Sequence, residues 1–338
     1  MEIRTGWPFR GKFLEQLRAF LADNGLAYDE RVTYSLCLVE DDRIAATGSL
    51  DGKVLKCIAV SKDFQEGGLA ARVISGLIDE AARNGIFHLF LFTKPENEAL
   101  FGSLGFYAIA KTGDALLMEN KKNGAGEFVS ALMDKIDNTK KMTANISAGK
   151  SGAIVMNCNP FTLGHQYLIE TAAEQCALLH IFVVSENKSA FSADARYGLV
   201  KAGTSHIANV LIHPTGPYLI SSATFPDYFF KDRVSPETVN TLLDLVIFAE
   251  RFAMPLGITR RFVGTEPFDP VTAAYNSQMK NILPRYGIEV VEIERLSKNE
   301  KAVSAGRVRE LFAANKMEEI RKLVPPGTFE FLLTWKEK

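Results

Sequence analysis

The sequence has little cysteine, and its cysteines show no pairing pattern. The chain of 338 residues contains four, which are Cys37, Cys57, Cys158 and Cys176. None lies in a CxxC segment and no histidines follow at the spacing of a zinc site, so neither a disulfide framework nor a structural metal is indicated. We expect reduced thiols in a cytoplasmic protein, with no metal held by side chains.

Long apolar runs and an excess of one charge are also missing. The N-terminal segment MEIRTGWPFR lacks the apolar core of a signal peptide, and no stretch approaches the roughly 20 apolar residues of a membrane-spanning helix. Lys and Arg number 39 against 40 Asp and Glu, a net charge of −1, which argues against a general nucleic-acid binder. We therefore expect neither a membrane nor a nucleic acid as partner, while a small phosphorylated ligand held by local geometry stays possible.

What is present is enough apolar sequence for two folded domains. Hydrophobic residues make up 47% and charged residues 23%, which excludes a disordered or collagen-like chain. At about 150 residues per domain, the length predicts two domains. The composition turns polar and glycine-rich between residues 119 and 152. We place a domain at 1–122, a linker containing a helix near 128–136 at 123–151, and a second domain at 152–338.

The first domain is predicted to mix helices with antiparallel strands. Asp41-Asp42 separates two apolar runs, a pattern typical of a hairpin. A third apolar run leads through Gln65-Glu66-Gly67-Gly68-Leu69-Ala70 into a helical pattern with Val73, Leu77 and Ala81. The predicted strands are 34–40, 43–50, 54–60 and 86–92; the remaining predicted helices are 13–23 and 97–104.

The second domain is predicted to be a doubly wound parallel sheet. Apolar strand candidates alternate with helical patterns, and such alternation places helices on both faces and ligands at the carboxyl ends of the strands. The predicted strands are 154–156, 178–184, 210–212, 261–263 and 289–293; the predicted helices are 164–176, 193–202, 237–252 and 275–282.

The strongest chemical signal follows the first strand of this second domain. Asn159-Pro160-Phe161-Thr162-Leu163-Gly164-His165 opens a helix, whose free N–H groups and partial positive charge favour phosphate. Thr162 and His165 share one face of the first turn, and Gly164 is expected to let a ligand approach. Taken alone, the pattern is more typical of a threonine cap beside a structural histidine, and only the second motif described below reverses that preference. Cys158 and the other four histidines are interpreted as structural residues.

This segment resembles the T/HxGH signature of the nucleotidyltransferase superfamily. A second signature of that family, ISxSxxR, is similar to Val303-Ser304-Ala305-Gly306-Arg307-Val308-Arg309, with Gly306 where a hydroxyl residue is usual. The resemblance implies a Rossmann-like adenylyl-transfer domain with Thr162, His165 and Arg309 as catalytic residues. It further implies a nucleotide-binding set composed of Asn159, Pro160, Phe161, Gly164, Gly264, Glu266, Val303, Ser304 and Gly306.

The glycine turn of the first domain resembles the Q/RxxGxG/A pyrophosphate loop of the GNAT acetyltransferase family. The fold class expected from both resemblances is α/β, with a GNAT-like α+β domain preceding the nucleotidyltransferase domain. The GNAT resemblance implies a site for a coenzyme A-like carrier arm at Gln65, Gly67, Gly68, Ala70 and Asn97.

Over nearly the whole chain the order of domains resembles the citrate lyase ligase family. The match is carried by longer strings at residues 153–157, 196–201 with Phe191, 221–226 and 263–267. It implies an acid–thiol ligase of citrate fermentation that uses ATP, Mg²⁺ and acetate. Acetyl adenylate then acetylates the thiol of a phosphoribosyl dephospho-coenzyme A arm on the citrate lyase acyl carrier subunit, which activates the lyase. Tyr228, Arg196 and Glu266 are candidates for the acetate site.

Three other functions stay open at the level of sequence. A pantetheine-phosphate or mononucleotide adenylyltransferase shares the two signatures but leaves the first domain unexplained. A noncatalytic nucleotide sensor is suggested by Gly306. A simple acetyl-coenzyme A-dependent acetyltransferase would use the first domain and ignore ATP.

Overall fold

The computed structural model describes residues 1–142, 149–187, 189–221, 236–266, 270–298 and 301–335. Its internal contacts divide the chain into two compact units. One comprises residues 1–124 and 222–243, and the other comprises residues 125–221 and 244–338. No helix in the described ranges is long and apolar enough to cross a membrane.

The first unit is built on a seven-stranded mixed sheet. Its strands are β1 (Glu2–Gly6), β2 (Tyr34–Glu40), β3 (Arg43–Asp51), β4 (Val54–Val60), β5 (Phe90–Thr93), β6 (Tyr107–Lys111) and β7 (Leu116–Glu119), and its helices are α1 (Gly11–Asp23), α2 (Leu69–Arg83) and α3 (Glu98–Ser103). The order across the sheet is β1-β2-β3-β4-β5-β7-β6. Neighbours are antiparallel except β4 and β5, which are parallel. The predicted mix of helices with antiparallel strands is confirmed.

Local sequence explains the centre of this sheet. Asp41 and Asp42 both adopt positive φ, of 47° and 58°, which suits the tight turn of the β2–β3 hairpin and confirms that prediction. Val73 and Leu77 of α2 pack against the sheet, with Gly48 of β3 beneath them. A Cβ on Gly48 would lie 2.6 Å from Cγ1 of Val73, so glycine at this position allows the helix to approach.

Strand β5 is shorter than the sequence predicted. The apolar run 86–92 begins by closing α2, because the Ile86 N–H donates to the Ala81 carbonyl after Gly85 turns with φ +74°. The extended pairing starts at Phe90, opposite Glu119 of β7. Strands β1, β6 and β7 were not predicted. β1 and β6 are the edges of the sheet, and the internal strand β7 has only four residues, all buried, so none of the three shows a clear period-2 pattern.

The second unit contains a five-stranded, fully parallel sheet in the order β10-β9-β8-β11-β12. Its main elements are α4 (Gly124–Met142), β8 (Ser151–Met156), α5 (Leu163–Ala173), β9 (Leu178–Val183), α6 (Ala193–Gly203), β10 (Val210–Pro214), α7 (Pro236–Ile247), α8 (Met254–Leu256), β11 (Ile258–Gly264), α9 (Pro270–Ile282), β12 (Glu289–Ile293), β13 (Ser297–Lys298), β14 (Lys301–Ala302), α10 (Ala305–Ala313), α11 (Met317–Ile320) and α12 (Pro326–Thr334). The first residue of α4 and residues 236–243 of α7 are assigned to the first unit. A π-helical turn, Phe248–Ala253, continues α7 into α8. The predicted doubly wound sheet is confirmed.

Alternation along the strands builds a core on each face of this sheet. Ile154 of β8 and Phe262 of β11 pack with α5 and α6 residues, whereas Phe182 of β9 meets Phe248 and Phe252 edge-on. The chain winds from β8 toward β10 on one side and from β11 toward β12 on the other. The carboxyl ends of β8 and β11 therefore flank the crevice where such sheets bind ligands.

Candidate active site

The segment after β8 ends in a capping box that joins Thr162 to His165. Thr162 is the N-cap of α5, and its Oγ1 accepts from the His165 backbone N–H at 3.3 Å. In return the Thr162 backbone N–H donates to Nδ1 of His165 at 3.1 Å. The two side chains also meet, with Oγ1 and Nδ1 3.0 Å apart. Thr162 is only 1% exposed, so its hydroxyl acts inside the cap.

The capping box determines the protonation of the imidazole. Because Nδ1 accepts a backbone hydrogen bond it carries no proton, and the neutral ring must carry its hydrogen on Nε2. Burial, together with a smaller effect of the positive charge of Arg295, lowers the pKa of His165 to about 4. At neutral pH the ring is therefore an uncharged donor, and Nε2 has no hydrogen-bond partner among the described residues.

Gly164 is required because another segment of the chain packs against it, whereas the sequence had suggested that it leaves room for a ligand. A Cβ at this position would lie 2.6 Å from the carbonyl oxygen of Val303. The glycine therefore lets the segment before α10 pack directly on the first turn of α5. The two signatures, about 140 residues apart in sequence, meet at this contact.

The second signature forms the start of α10. Ser304 is its N-cap, and its Oγ accepts from the Arg307 backbone N–H at 3.2 Å. Arg309 is exposed, and its Nη1 donates to the Asn159 carbonyl at 2.6 Å. Gly306 leaves open space, since a Cβ there would find Nη2 of Arg309 only at 3.9 Å. The structure thus brings Arg309 to the turn that precedes α5.

The three residues before Thr162 shape that turn. The Asn159–Pro160 peptide bond is cis, and the Asn159 Oδ1 accepts from the Phe191 backbone N–H at 3.1 Å. Phe161 is fully buried, lies roughly parallel to the His165 ring, and packs so closely on Gly203 that a Cβ there would clash. The Phe161 side chain therefore belongs to the core beneath the site.

Gly264 and Glu266 lie at the carboxyl end of β11. The Gly264 carbonyl accepts from Nδ2 of Asn276, and Glu266 forms an ion pair with Arg295. Arg295 follows β12 and was missed by the sequence analysis, because it belongs to no motif. The rule that ligands bind at the carboxyl ends of parallel strands was the signal available for it.

Arg196, a candidate for the acetate site, is completely buried. Its guanidinium donates to the backbone carbonyls of Phe191, Asn157, Val184 and Glu186 and to Oδ1 of Asn157. It therefore ties together the loops after β8 and β9 and does not present a free charge to an acid. Tyr228, the other candidate, lies outside the described residues.

The remaining histidines do not lie at this site. Nδ1 of His180 and Nε2 of His213 are 3.0 Å apart in the core, His88 pairs with Glu119 at 2.6 Å, and His206 pairs with Glu170 at 2.9 Å. Burial raises the pKa of the Cys158 thiol well above its ordinary value. A thiol held protonated in this way is a poor nucleophile.

The predicted carrier-arm loop lies at the carboxyl edge of two neighbouring parallel strands of the first unit. Gln65 and Gly67 fall in the short 3₁₀ helix Lys62–Gly67 after β4, Gly68 caps α2 with φ +63°, and Ala70 is in the first turn of α2. Asn97 follows β5, and its Nδ2 donates to Oγ1 of Thr93 at 2.9 Å. Strands β4 and β5 are parallel, so both segments leave the same edge of the sheet.

Comparison with known proteins identifies the family of the chain. The family model described as "Citrate lyase ligase C-terminal domain" matches residues 151–332. The chain is 42% identical to a [citrate [pro-3S]-lyase] ligase of Klebsiella pneumoniae, covering 94% of this chain and 92% of that protein. It is 40% identical to the Escherichia coli K12 enzyme of the same name, covering 95% and 90%.

A shorter similarity covers about a quarter of the chain. A [ribosomal protein bS18]-alanine N-acetyltransferase of Salmonella typhimurium is 36% identical over 96 residues, which is 26% of this chain and 62% of that protein. The family match and the two near-full-length relatives lead to one conclusion: the chain belongs to the citrate lyase ligase family and is a ligase.

Proposed function

We propose that the second unit joins acetate to AMP. An acetate oxygen attacks the α-phosphorus of ATP, an O–P bond forms, and the bond from that phosphorus to the pyrophosphate oxygen breaks. Pyrophosphate leaves with the electron pair. The thiol of the carrier arm then loses its proton to water and attacks the acetyl carbon. A C–S bond forms, the bond from that carbon to the phosphate oxygen breaks, and AMP leaves with the electron pair. The product is the acetylated acyl carrier subunit of citrate lyase.

The geometry at α5 supports the first step. The neutral His165 ring offers Nε2–H to the α-phosphoryl group, and the capping box holds the ring in place. Ser304 caps the Arg307 N–H at the start of α10, and the preceding N–H groups of Ala305 and Gly306 suit the β- and γ-phosphates. Arg309 is anchored on the Asn159 carbonyl and suits the departing pyrophosphate. Alignment and fixed charge are the main demands of such a transfer.

Thr162 has a different part from the one the signature implied. Its hydroxyl both accepts from the His165 N–H and lies 3.0 Å from Nδ1, and the side chain is buried. We assign it the positioning of His165 rather than contact with phosphate. Gly164 likewise serves the contact with Val303.

Magnesium is proposed to enter with the nucleotide. Among the described residues no group of three or more His, Cys, Asp or Glu is arranged to hold a metal ion. The side chains in the described ranges do not form a protein site for Mg²⁺, which commonly binds through phosphate oxygens and water. We derive no step through it.

The first unit is proposed to dock the carrier arm. The arm contains a pyrophosphate, and the turn at Gly68 leads into the N-terminus of α2, where backbone N–H groups attract anions. The acyl adenylate must also survive until the thiol arrives. Shielding the site from water favours this, because water would hydrolyse the mixed anhydride. Acetate, ATP and the carrier would then each have a place on one chain.

One observation carries the proposal: in a chain of the citrate lyase ligase family, an imidazole fixed as an Nε2–H donor sits where the two nucleotidyltransferase signatures touch. The test is exchange of labelled pyrophosphate into ATP by the full chain. The assay is run with acetate, with a panel of other short carboxylic acids, and without any acid. We expect exchange with acetate and little exchange when no acid is present. Acetate-independent turnover with a phosphorylated acceptor would favour an adenylyltransferase, and ATP binding without exchange would favour a nucleotide sensor.

The docking role is tested separately with a matched pair at Gly68. Asn and Asp both tolerate the left-handed conformation that Gly68 adopts, but only Asp adds a negative charge that repels pyrophosphate. Gly68→Asp should retain acetate-dependent exchange and lose acetylation of the carrier at least tenfold relative to Gly68→Asn. Equal carrier acetylation in the two variants would contradict docking at this turn.

A further inference from the structure

We propose that Arg295 is a further catalytic residue, which binds the α-phosphoryl group beside His165 during attack by the carboxylate. This inference rests on the proposed adenylyl transfer and adds to it a charged group outside both signatures. It also assigns Glu266 a positioning role, as the carboxylate that orients this guanidinium.

The backbone places Arg295 at the carboxyl edge of the parallel sheet. It lies two residues beyond β12, and its N–H donates to Oγ1 of Thr265 at 3.1 Å. The Thr265 N–H in turn donates to the Ile293 carbonyl at 2.9 Å. These two bonds tie the segment after β12 to the segment after β11, so the Cα of Arg295 is set by the sheet rather than by a free loop.

A second set of contacts connects Arg295 to the first turn of α5. Its neighbour Leu296 accepts from the Val303 N–H at 3.0 Å, and the Val303 carbonyl packs on Gly164. His165 follows Gly164 directly. The positive charge of Arg295 is also felt at the imidazole, where it helps to lower the pKa of His165.

One edge of the Arg295 guanidinium is bound by Glu266, and its other N–H groups are available to a ligand. Its Nη2 donates to Oε2 of Glu266, whose side chain is only 6% exposed, while that of Arg295 is 30% exposed. No hydrogen-bond partner is found for Nε or Nη1 within the described ranges. A buried carboxylate thus holds one donor and leaves others for a ligand, in the fork geometry with which arginine binds phosphate.

The reaction requires a positive charge at this place. A carboxylate must approach a triphosphate of the same sign, and the neutral His165 ring contributes only a dipole. A fixed guanidinium near the α-phosphorus offsets this repulsion and binds the charge that develops on the phosphoryl oxygens. Arg309, bound to the Asn159 carbonyl, is reserved for the pyrophosphate that departs.

The experiment compares Arg295→Met with Arg260→Met in the full chain. Arg260 is the matched control, because it pairs with Glu289 across the same two strands at their other end. We expect Arg295→Met to lower kcat for acetate-dependent exchange by roughly 10²–10³-fold, the usual cost of removing one such donor. Arg260→Met should stay within about threefold of the unmodified protein, as expected for a surface pair.

Chemical rescue separates a catalytic role from a structural one. Guanidinium ion added to Arg295→Met should restore part of kcat, which a merely structural role would not allow. If Arg295→Met does not fold, Arg295→Lys decides: it should lose kcat at least tenfold while its free energy of unfolding is unchanged. A folded variant with unchanged kcat, or one without rescue, overturns the assignment of Arg295. Failure of the unmodified protein to exchange pyrophosphate would instead overturn the proposed function itself.

Discussion

The backbone N–H of Thr162 donates to Nδ1 of His165 over 3.1 Å, so the peptide group that begins α5 selects the tautomer of the imidazole. The same side chain therefore completes the helix cap and carries the proposed phosphate donor. The hydrogen bonds of this turn stabilise the start of α5 and, as we propose, orient Nε2–H of His165 toward the α-phosphoryl group. The capping hydrogen bond uses Nδ1 and the proposed phosphate donor is Nε2–H, so substitutions can remove one and keep the other.

His165→Gln and His165→Ala separate the cap from the donor. Glutamine is a usual partner at this position of a capping box, so it should keep the hydrogen bond to the Thr162 N–H while losing Nε2–H. We expect both variants to lose roughly 10²–10³-fold in pyrophosphate exchange. Only His165→Ala should lose about 1 kcal/mol of unfolding free energy, measured by urea denaturation. Equal stability of the two would show that the box contributes nothing.

The lowered pKa of His165 predicts its behaviour with pH. In the folded protein the pKa is about 4, below the ordinary value of 6.5, so any stability it contributes is complete above pH 6.5 and is lost as pH falls toward 4. Between pH 7 and 8 the ring should stay neutral and exchange should show no histidine titration. Nitrogen-15 NMR should find the proton on Nε2. A ring titrating near 6.5 would contradict the assignment.

Gly164→Ala tests the contact between the two signatures. The new methyl group would lie 2.6 Å from the Val303 carbonyl, which is backbone and must move. We expect a loss of stability of about 1–3 kcal/mol, as in other overpacked sites, and a raised KM for ATP. Gly198→Ala in α6 is the control, because nothing lies within 4 Å of its Cβ. It should be neutral or stabilising by up to about 1 kcal/mol.

Arg196→Met tests the interpretation of Arg196 as a structural residue. Removing the guanidinium leaves four backbone carbonyls of two site loops without their donor, and each buried unsatisfied group costs about 1–3 kcal/mol. The unfolding free energy should fall by at least about 2 kcal/mol. Lys201→Met, exposed on the same helix, should change it little. If Arg196→Met folds stably and loses only affinity for acetate, the residue binds substrate after all.

The buried His180–His213 pair predicts acid sensitivity of the second unit. Burial, His180 and Lys135 together lower the pKa of His213 to about 3, so stability is lost as pH falls from 6.5 toward 3. From pH 7 to 5 this one group should account for about 2 kcal/mol of lost unfolding free energy. His213→Leu should remove that part of the loss. His206→Leu, at an exposed histidine, is the control.

Local sequence patterns were sufficient to predict several elements of the fold and of the site. The hairpin at Asp41-Asp42, the start of α5 at Thr162 and the start of α10 at Ser304 depend on turn and cap chemistry within a few residues. Strand and helix alternation predicted the parallel sheet for the same reason. Contacts between distant segments were not predictable in this way. The carbonyl of Val303 against Gly164, for example, involves residues far apart in the chain.

The sequence by itself determined the two architectures and the two signatures, because hydrophobic period and capping residues act locally. Only the tertiary structure decided which groups are free to act. It enclosed the Arg196 guanidinium among carbonyls, packed the Val303 carbonyl on Gly164, and brought Arg295 beside Glu266. A side chain's availability depends on the neighbours that folding brings to it, and those neighbours come from other strands of the sheet.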